Sequence, residues 1–282
     1  MTIRFGLALP DNTARTVAEL ARLAEQAGWD GCFLGDAIWC QDPMIALAAA
    51  AMVTDRIRLG TMVTPVPLRR PWKLASESLA LDHLSGGRVT LGLATGAVWM
   101  GWQAFPDEET ATRARAEMLD EMIDILTLLY QRRQFDYDGK HYQVKLTRMD
   151  LQHYPPKPVQ EPRIPLWAVG IWPSSKSMAR ALKCDGVIVE KRSSGSEPEE
   201  LTPADVAEIR AYVTNHRTLT TPFDIVVGGK TPGDNAAAGQ ETLRPWIEAG
   251  ATWWMEDIWG LPDDALRERI RQGPPRAAPR AD

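Results

Sequence analysis

Short runs rich in valine, isoleucine, leucine and aromatic residues alternate along this chain with longer stretches whose apolar positions recur every three to four residues. The first pattern reads as strand and the second as helix. The predicted strands are 3–9, 31–35, 57–63, 88–94, 165–170, 186–190, 223–228 and 252–257. Several are apolar on both faces, as buried parallel strands are. The predicted helices are 13–27, 42–54, 72–84, 112–132, 174–183, 203–216, 240–249 and 263–271. Thr13, Asp42, Ser174 and Thr202 fall where N-caps belong, and Gly28, Gly86 and Gly250 where a left-handed residue closes a helix. A strand followed by a helix, eight times over, predicts an α/β fold: a single eight-stranded (β/α)8 TIM barrel occupying residues 1–272.

Two connections break the rhythm. Residues 133–164 make an excursion after the fourth helix, in which Phe135 to Tyr142 reads as a hairpin turning at Asp138-Gly139, followed by a proline-rich run from Tyr154 to Pro165. It is expected to serve as a lid. Arg192 to Thr202 is expected to be a mobile loop at a strand end, and 273–282, which lacks an apolar period, a disordered tail.

Composition narrows the partners. The 282 residues, 44% hydrophobic and 24% charged, suffice for one large core. A net charge of -5, with lysine and arginine scattered, argues against nucleic acid or an anionic membrane and for a small-molecule ligand. Cys32, Cys40 and Cys184 have no paired spacing, so neither a disulfide framework nor a zinc site is expected, and a reducing cytoplasm fits. The run Ile3 to Leu9 is too short for a signal peptide. Met44 to Val53 is about half of the ~20 apolar residues that a bilayer crossing takes.

Barrel enzymes carry their chemistry at the C-terminal ends of the strands. That position retains Asp11 and Asn12, Asp36 to Trp39, Thr61 to Thr64, Thr95 to Trp99, Gly170 to Ser175, Glu190 to Arg192, Gly228 to Lys230, and Glu256 with Asp257. His83, His141, His153 and His216 all fall outside it without metal-ligand spacing, so no metal is expected. No Gly-x-Ser-x-Gly elbow occurs. Met62, Val63, Ala97, Val98 and Trp99 offer a flat apolar shelf, and Gly170 to Ser175 a helix start for a phosphate. Glu190, Lys191 and Arg192 are either a phosphate contact or a solvated charge run. Glu256 and Asp257, near Trp253, Trp254 and Trp259, are candidates for proton transfer. Lys191 and Lys230 at strand ends leave a Schiff-base lyase or aldolase open.

The segment Arg58-Leu59-Gly60-Thr61-Met62-Val63-Thr64-Pro65, running on to Arg69-Arg70-Pro71, and the block Leu81-Asp82-His83-Leu84-Ser85-Gly86-Gly87-Arg88 resemble the luciferase-like monooxygenase family. So do Ile164 to Gly170, Ala181 to Gly186 and Glu248 to Trp254. The resemblance implies a reduced FMN or a coenzyme F-420 deazaflavin across the barrel mouth, its phosphate tail toward the loops after the later strands. The cofactor-binding set carried over is Asp36, Thr61, Met62, Val63, Thr95, Gly96, Ala97, Gly170, Ile171, Trp172, Ser174, Glu190 and Lys191. Family members often hold a non-prolyl cis peptide beneath the flavin, which here falls at Met62-Val63; ordinary strand packing is the plain alternative.

Asp36 matches an acidic position that precedes a catalytic histidine in relatives, but Ala37 follows it here, and Ala97 replaces an acid. These departures count against alcohol oxidation. Asp36 either hydrogen-bonds the cofactor or caps the loop into the second helix. With FMN the expected chemistry is oxygen insertion, a flavin reductase supplying reduced cofactor; with F-420 it is hydride transfer. A non-catalytic cofactor-binding barrel remains the third reading, and a homodimer is expected from the family's habit.

Overall fold

The computed structural model describes residues 3–10, 12–191 and 199–275. Residues 1–2, Asp11, residues 192–198 and residues 276–282 lie outside the described residues, and with them most of the segment expected to be mobile and of the stretch expected to be disordered. The chain runs β1 (Arg4–Leu9), α1 (Ala14–Gln26), β2 (Gly31–Leu34), α2 (Pro43–Ala51), β3 (Arg58–Pro65), α3 (Pro71–Ser85), β4 (Val89–Ala94) and α4 (Thr112–Tyr130). A hairpin of β5 (Asp136–Asp138) and β6 (Gln143–Lys145) follows. The barrel resumes with β7 (Leu166–Trp172), α5 (Ser175–Ala181), β8 (Gly186–Lys191), α6 (Pro203–His216), β9 (Asp224–Gly229), α7 (Ala236–Ala249), β10 (Trp253–Glu256) and α8 (Asp263–Arg271). Eight parallel strands close in the order β1-β10-β9-β8-β7-β4-β3-β2. No helix among the described residues is long and apolar enough to cross a membrane.

Local chemistry sets most helix ends. Thr13 accepts the Thr16 amide, Asp42 those of Met44 and Ile45, and Thr202 forms a reciprocal capping box with Asp205. Ser174 makes no such bond at the start of α5, unlike the expectation; Ser177, one turn on, accepts the Ile171 amide instead. Helix α7 begins at Ala236 rather than 240 because Asn235 accepts the Ala238 amide, which carries the helix through Gly239.

Side chains alternate across each strand, and the alternation divides the interior of the barrel from the helix layer. Phe33, Trp167 and Trp253 point inward and meet one another: Phe33 stacks on Trp167 at 5.2 Å, and Trp253 stands edge-on to both, at 5.7 and 5.4 Å. Each such pair adds ~0.5–1.5 kcal/mol beyond burial. Glycines make the room: a Cβ on Gly31 would lie 2.6 Å from Phe33, and one on Gly186 2.5 Å from Trp167. Ile188, Val226 and Met255 complete this plug, and Met62, Val63 and Val169 rest on it. The outward column, including Leu7, Leu59, Leu91, Val187 and Trp254, packs against the helices.

The Ser85 to Arg88 block is architectural. Arg88 donates to the carbonyls of Ala51, Thr54, Ile57 and Ser85 and to the Thr54 hydroxyl, tying the ends of α2 and α3 to the start of β3. The excursion is not a lid. It leaves the C-terminal end of α4, and a helix-to-strand connection lies at the end of a barrel opposite the strand C-termini. Its Tyr142 and Val144 pack on Ile125 of α4, and Glu121 accepts the amides of Lys140, His141 and Tyr142. The following run docks beneath the barrel, where Asp82 accepts the Val159 amide and Gln160 accepts from Arg58.

Candidate functional site

A cavity of about 720 Å³ opens at the C-terminal mouth of the barrel. That volume suits a cofactor and part of a substrate, since small-molecule sites run ~300–1,000 Å³. Met62, Val63 and Val169, seated on the aromatic plug, make an apolar floor. The Met62-Val63 peptide is cis. The register between β3 and β4 shifts between Thr61 and Thr64, and both Met62 and Val63 line the cavity. Gly35 to Ala37 after β2, and Thr95 to Met100 after β4, form the walls. Gly96 is left-handed (φ 84°), and a Cβ there would lie 2.5 Å from Trp102, which underpins that wall.

Four acidic or basic side chains line the cavity, Asp36, Arg115, Arg180 and Glu190, together with the Cys40 thiol. The Asp36 carboxylate, 4% exposed, accepts from Nε and Nη2 of Arg69 at 3.1 and 2.9 Å, while its backbone amide donates to the Val63 carbonyl at 3.2 Å. Burial raises its pKa, with Arg69 opposing. It does not cap α2, since Asp42 does. Arg115, on α4, donates to the carbonyls of Thr95 and Gly96 at 2.8 and 2.7 Å and fixes the wall after β4. Arg180, on α5, is held by Asp120 through bonds of 2.7 and 2.9 Å. Glu190 ends the inward column Gly186, Ile188, Glu190 of β8. It is open to solvent through the cavity but surrounded by protein elsewhere, and that desolvation raises its pKa.

Of the expected set, Asp36, Met62, Val63, Thr95, Gly96, Ala97, Ile171 and Glu190 come together around this cavity. Thr61, Gly170, Trp172, Ser174 and Lys191 do not line it. The Thr61 hydroxyl is buried between β3 and β4, donating to the Gly92 carbonyl. A Cβ on Gly170 would run into Val187, and Trp172 packs edge-on against Tyr212 of α6. Lys191 is held by Asp205 at 2.9 Å, a bond that raises its pKa and keeps the amine charged, the wrong state for a Schiff base. Lys230 is exposed beside Asp257 and also outside the lining.

Glu256 and Asp257 do not form an acidic pair at the mouth. Met255 is inward, so Glu256 is outward, where it accepts from the Thr231 amide and hydroxyl and the Trp254 indole and pairs with Arg269 of α8 at 3.3 Å. Asp257 is exposed and accepts the Trp259 amide. Arg69, Arg115, Ser177 and Arg180 were not singled out by strand-end position, because they belong to helices and a downstream loop. A signal existed for Arg115: it shares a helix face with buried Leu119 and Met122, an odd place for a cation.

Residues 2–278 match the model of the luciferase-like monooxygenase family. The chain belongs to that family. Luciferase-like proteins use FMN or coenzyme F-420. Over 135 residues, 46% of its length, this luciferase-like chain is 40% identical to a Mycobacterium tuberculosis protein named as a coenzyme F-420-dependent oxidoreductase, covering 37% of it. Over 115 residues, 39% of its length, it is 38% identical to the 4-hydroxyprotoasukamycin monooxygenase of Streptomyces nodosus subsp. asukaensis, covering 31% of it. The matches thus span about a third of these curated relatives. The oxygenating constituent of a 3,6-diketocamphane monooxygenase of Pseudomonas putida, solved with FMN, superposes with a TM-score of 0.69 at 18% identity, over 96% of this chain and 97% of that one. At that identity the likeness is one of fold.

Proposed function

We propose that this chain is an oxidoreductase that holds FMN or coenzyme F-420 in the mouth cavity and acts on a small organic substrate. The observation that carries the reading is an apolar floor at Met62, Val63 and Val169 in a cavity that Arg115, Ser177 and Arg180 also line. A tricyclic ring needs the first and a phosphate the second. When bound, the cofactor supplies hydride exchange in the case of F-420 or, for reduced FMN delivered by a flavin reductase, activation of dioxygen for insertion of one oxygen atom.

The chain's own groups do the rest. The floor seats one ring face and, with the plug below, keeps water from it. Arg115 and Arg180 are pre-positioned by their carbonyl and Asp120 partners, so an anion meets donors that need no rearrangement. Asp36, fixed by Arg69, accepts a hydrogen bond at the wall, and Glu190, whose pKa desolvation raises, is the group placed to exchange a proton with the substrate. Helix α2 is apolar on all faces, with Ile45 67% exposed, and we place a homodimer contact there.

Fluorescence titration of the purified protein with FMN and with F-420 tests the reading. One of them binds at micromolar concentrations or tighter, and Arg115→Met weakens it about 10- to 100-fold, the loss of a charge-assisted hydrogen bond. Binding of neither at tens of micromolar ends the proposal. Ala37 and Ala97 favour one other reading, a barrel that binds cofactor without turnover; consumption of reduced cofactor across a substrate panel separates the two.

A further inference from the structure

Four tryptophans are exposed among the described residues, Trp39, Trp72, Trp99 and Trp259, and three of them line the same cavity. They reach it from three separate strand ends: Trp39 after β2, Trp99 after β4 and Trp259 after β10. Their exposures are 86%, 81% and 50%, so half or more of each residue's surface is free of protein contact. Isolated apolar side chains on a surface need no explanation, but a contiguous set around a concave opening marks a binding site. Indoles favour flat partners, because stacked or edge-on rings gain beyond simple burial. Met100 and Ile171, also partly exposed, extend the apolar rim.

Charge narrows the class. Among the charged lining groups, Asp36 is paired with Arg69, while Arg115 and the Asp120-held Arg180 are committed to the phosphate in the reading above. The Glu190 carboxylate makes no hydrogen bond or ion pair among the described residues, and its column aims it into the cavity. An uncompensated carboxylate repels an anion and welcomes a donor.

We propose that the substrate is a flat, uncharged, apolar molecule, aromatic or fused-ring, that lies among Trp39, Trp99 and Trp259 and donates a hydroxyl or N–H to Glu190. This rests on the oxidoreductase reading for its chemistry and on the rim alone for its shape. The cofactor fills the floor and meets Arg115 and Arg180; the substrate fills the outer half.

The test uses the full chain, saturated with whichever cofactor it takes, and calorimetric titration with 2-naphthol, 2-methoxynaphthalene and 2-naphthoate. 2-Naphthol binds best. Trp39→Ala, Trp99→Ala and Trp259→Ala each weaken it about five-fold, the scale of one aromatic pair, while the separate titration with cofactor stays unchanged. Glu190→Gln removes about five-fold of the preference for 2-naphthol over 2-methoxynaphthalene, the difference between a charged and a neutral acceptor. The proposal is overturned if 2-naphthoate binds as tightly as 2-naphthol, if the three alanine variants leave 2-naphthol affinity within two-fold, or if they lower cofactor affinity equally, which assigns the rim to the cofactor. Failure of the cofactor titration on the unaltered chain instead sinks the oxidoreductase reading; the naphthol series, run on the bare protein, still decides the rim.

Discussion

Replacing Arg69 by methionine removes the counter-ion of a nearly buried carboxylate. Asp36 is 4% exposed at its side chain and Arg69 19%, and two of the guanidinium nitrogens bond one Asp36 oxygen. Arg69 also lies 3.3 Å from Asp42 and 3.7 Å from Glu77, so its loss leaves three carboxylates facing one another. Breaking one side of a buried pair costs ~3–5 kcal/mol. The mouth admits water to Asp36, which places the expectation at the lower end, ~3 kcal/mol at pH 7. Asp36→Asn in the same chain removes the charge that needed compensation and restores ~2 kcal/mol. The pH dependence has a definite sign. Burial already holds the folded Asp36 pKa above its unfolded value, and losing Arg69 raises it further. A folded acid with a raised pKa binds more protons than the unfolded chain, so stability falls as pH rises through that interval. The deficit of Arg69→Met is therefore largest at pH 7 and narrows at pH 5, where a proton substitutes for the guanidinium. Urea unfolding at both pH values, followed by tryptophan fluorescence, measures it. A deficit below ~1 kcal/mol, or one that widens toward pH 5, refutes the reasoning.

Arg269→Met strands the buried Glu256 carboxylate and costs ~3 kcal/mol in urea unfolding, yet cofactor affinity per folded molecule is unchanged; a selective loss of affinity with stability intact would return Glu256 to the active site. Trp167→Ala empties the centre of the plug and lowers stability by ~3–5 kcal/mol, and a loss under ~1 kcal/mol would mean that the three rings do not pack as described. Ile45→Glu places a charge on the exposed face of α2 and converts the sedimenting species from dimer to monomer; an unaltered chain that sediments as a monomer at tens of micromolar rules out that contact.

Much of the fold was legible because buried parallel strands are apolar whichever way their side chains point, so β3, β4 and β7 announce themselves without a tertiary frame. Where helix α7 starts was not, because Gly239 resembles a stop; its backbone is kept helical by the Asn235 cap, and Pro275 packs where a Cβ would go. Met62, Val63 and Glu190 were readable from strand-end position. Glu256 was readable in principle: counting by two from inward Trp253 puts it outside. Arg115 showed only as a cation on a buried helix face, and Arg180 not at all, since only closure of the barrel carries helices α4 and α5 alongside the mouth. The excursion misled by length alone, when its place between a helix and the next strand already assigned it to the far end.

The three-ring plug leaves the barrel a vessel with a stopper below and an opening at its mouth. On the proposed reading substrate and product pass the same tryptophans, so whatever enters last confines what entered first. If the proposed seating holds, with the cofactor on the floor and the substrate at the rim, binding is ordered: cofactor before substrate, and product out before the cofactor exchanges.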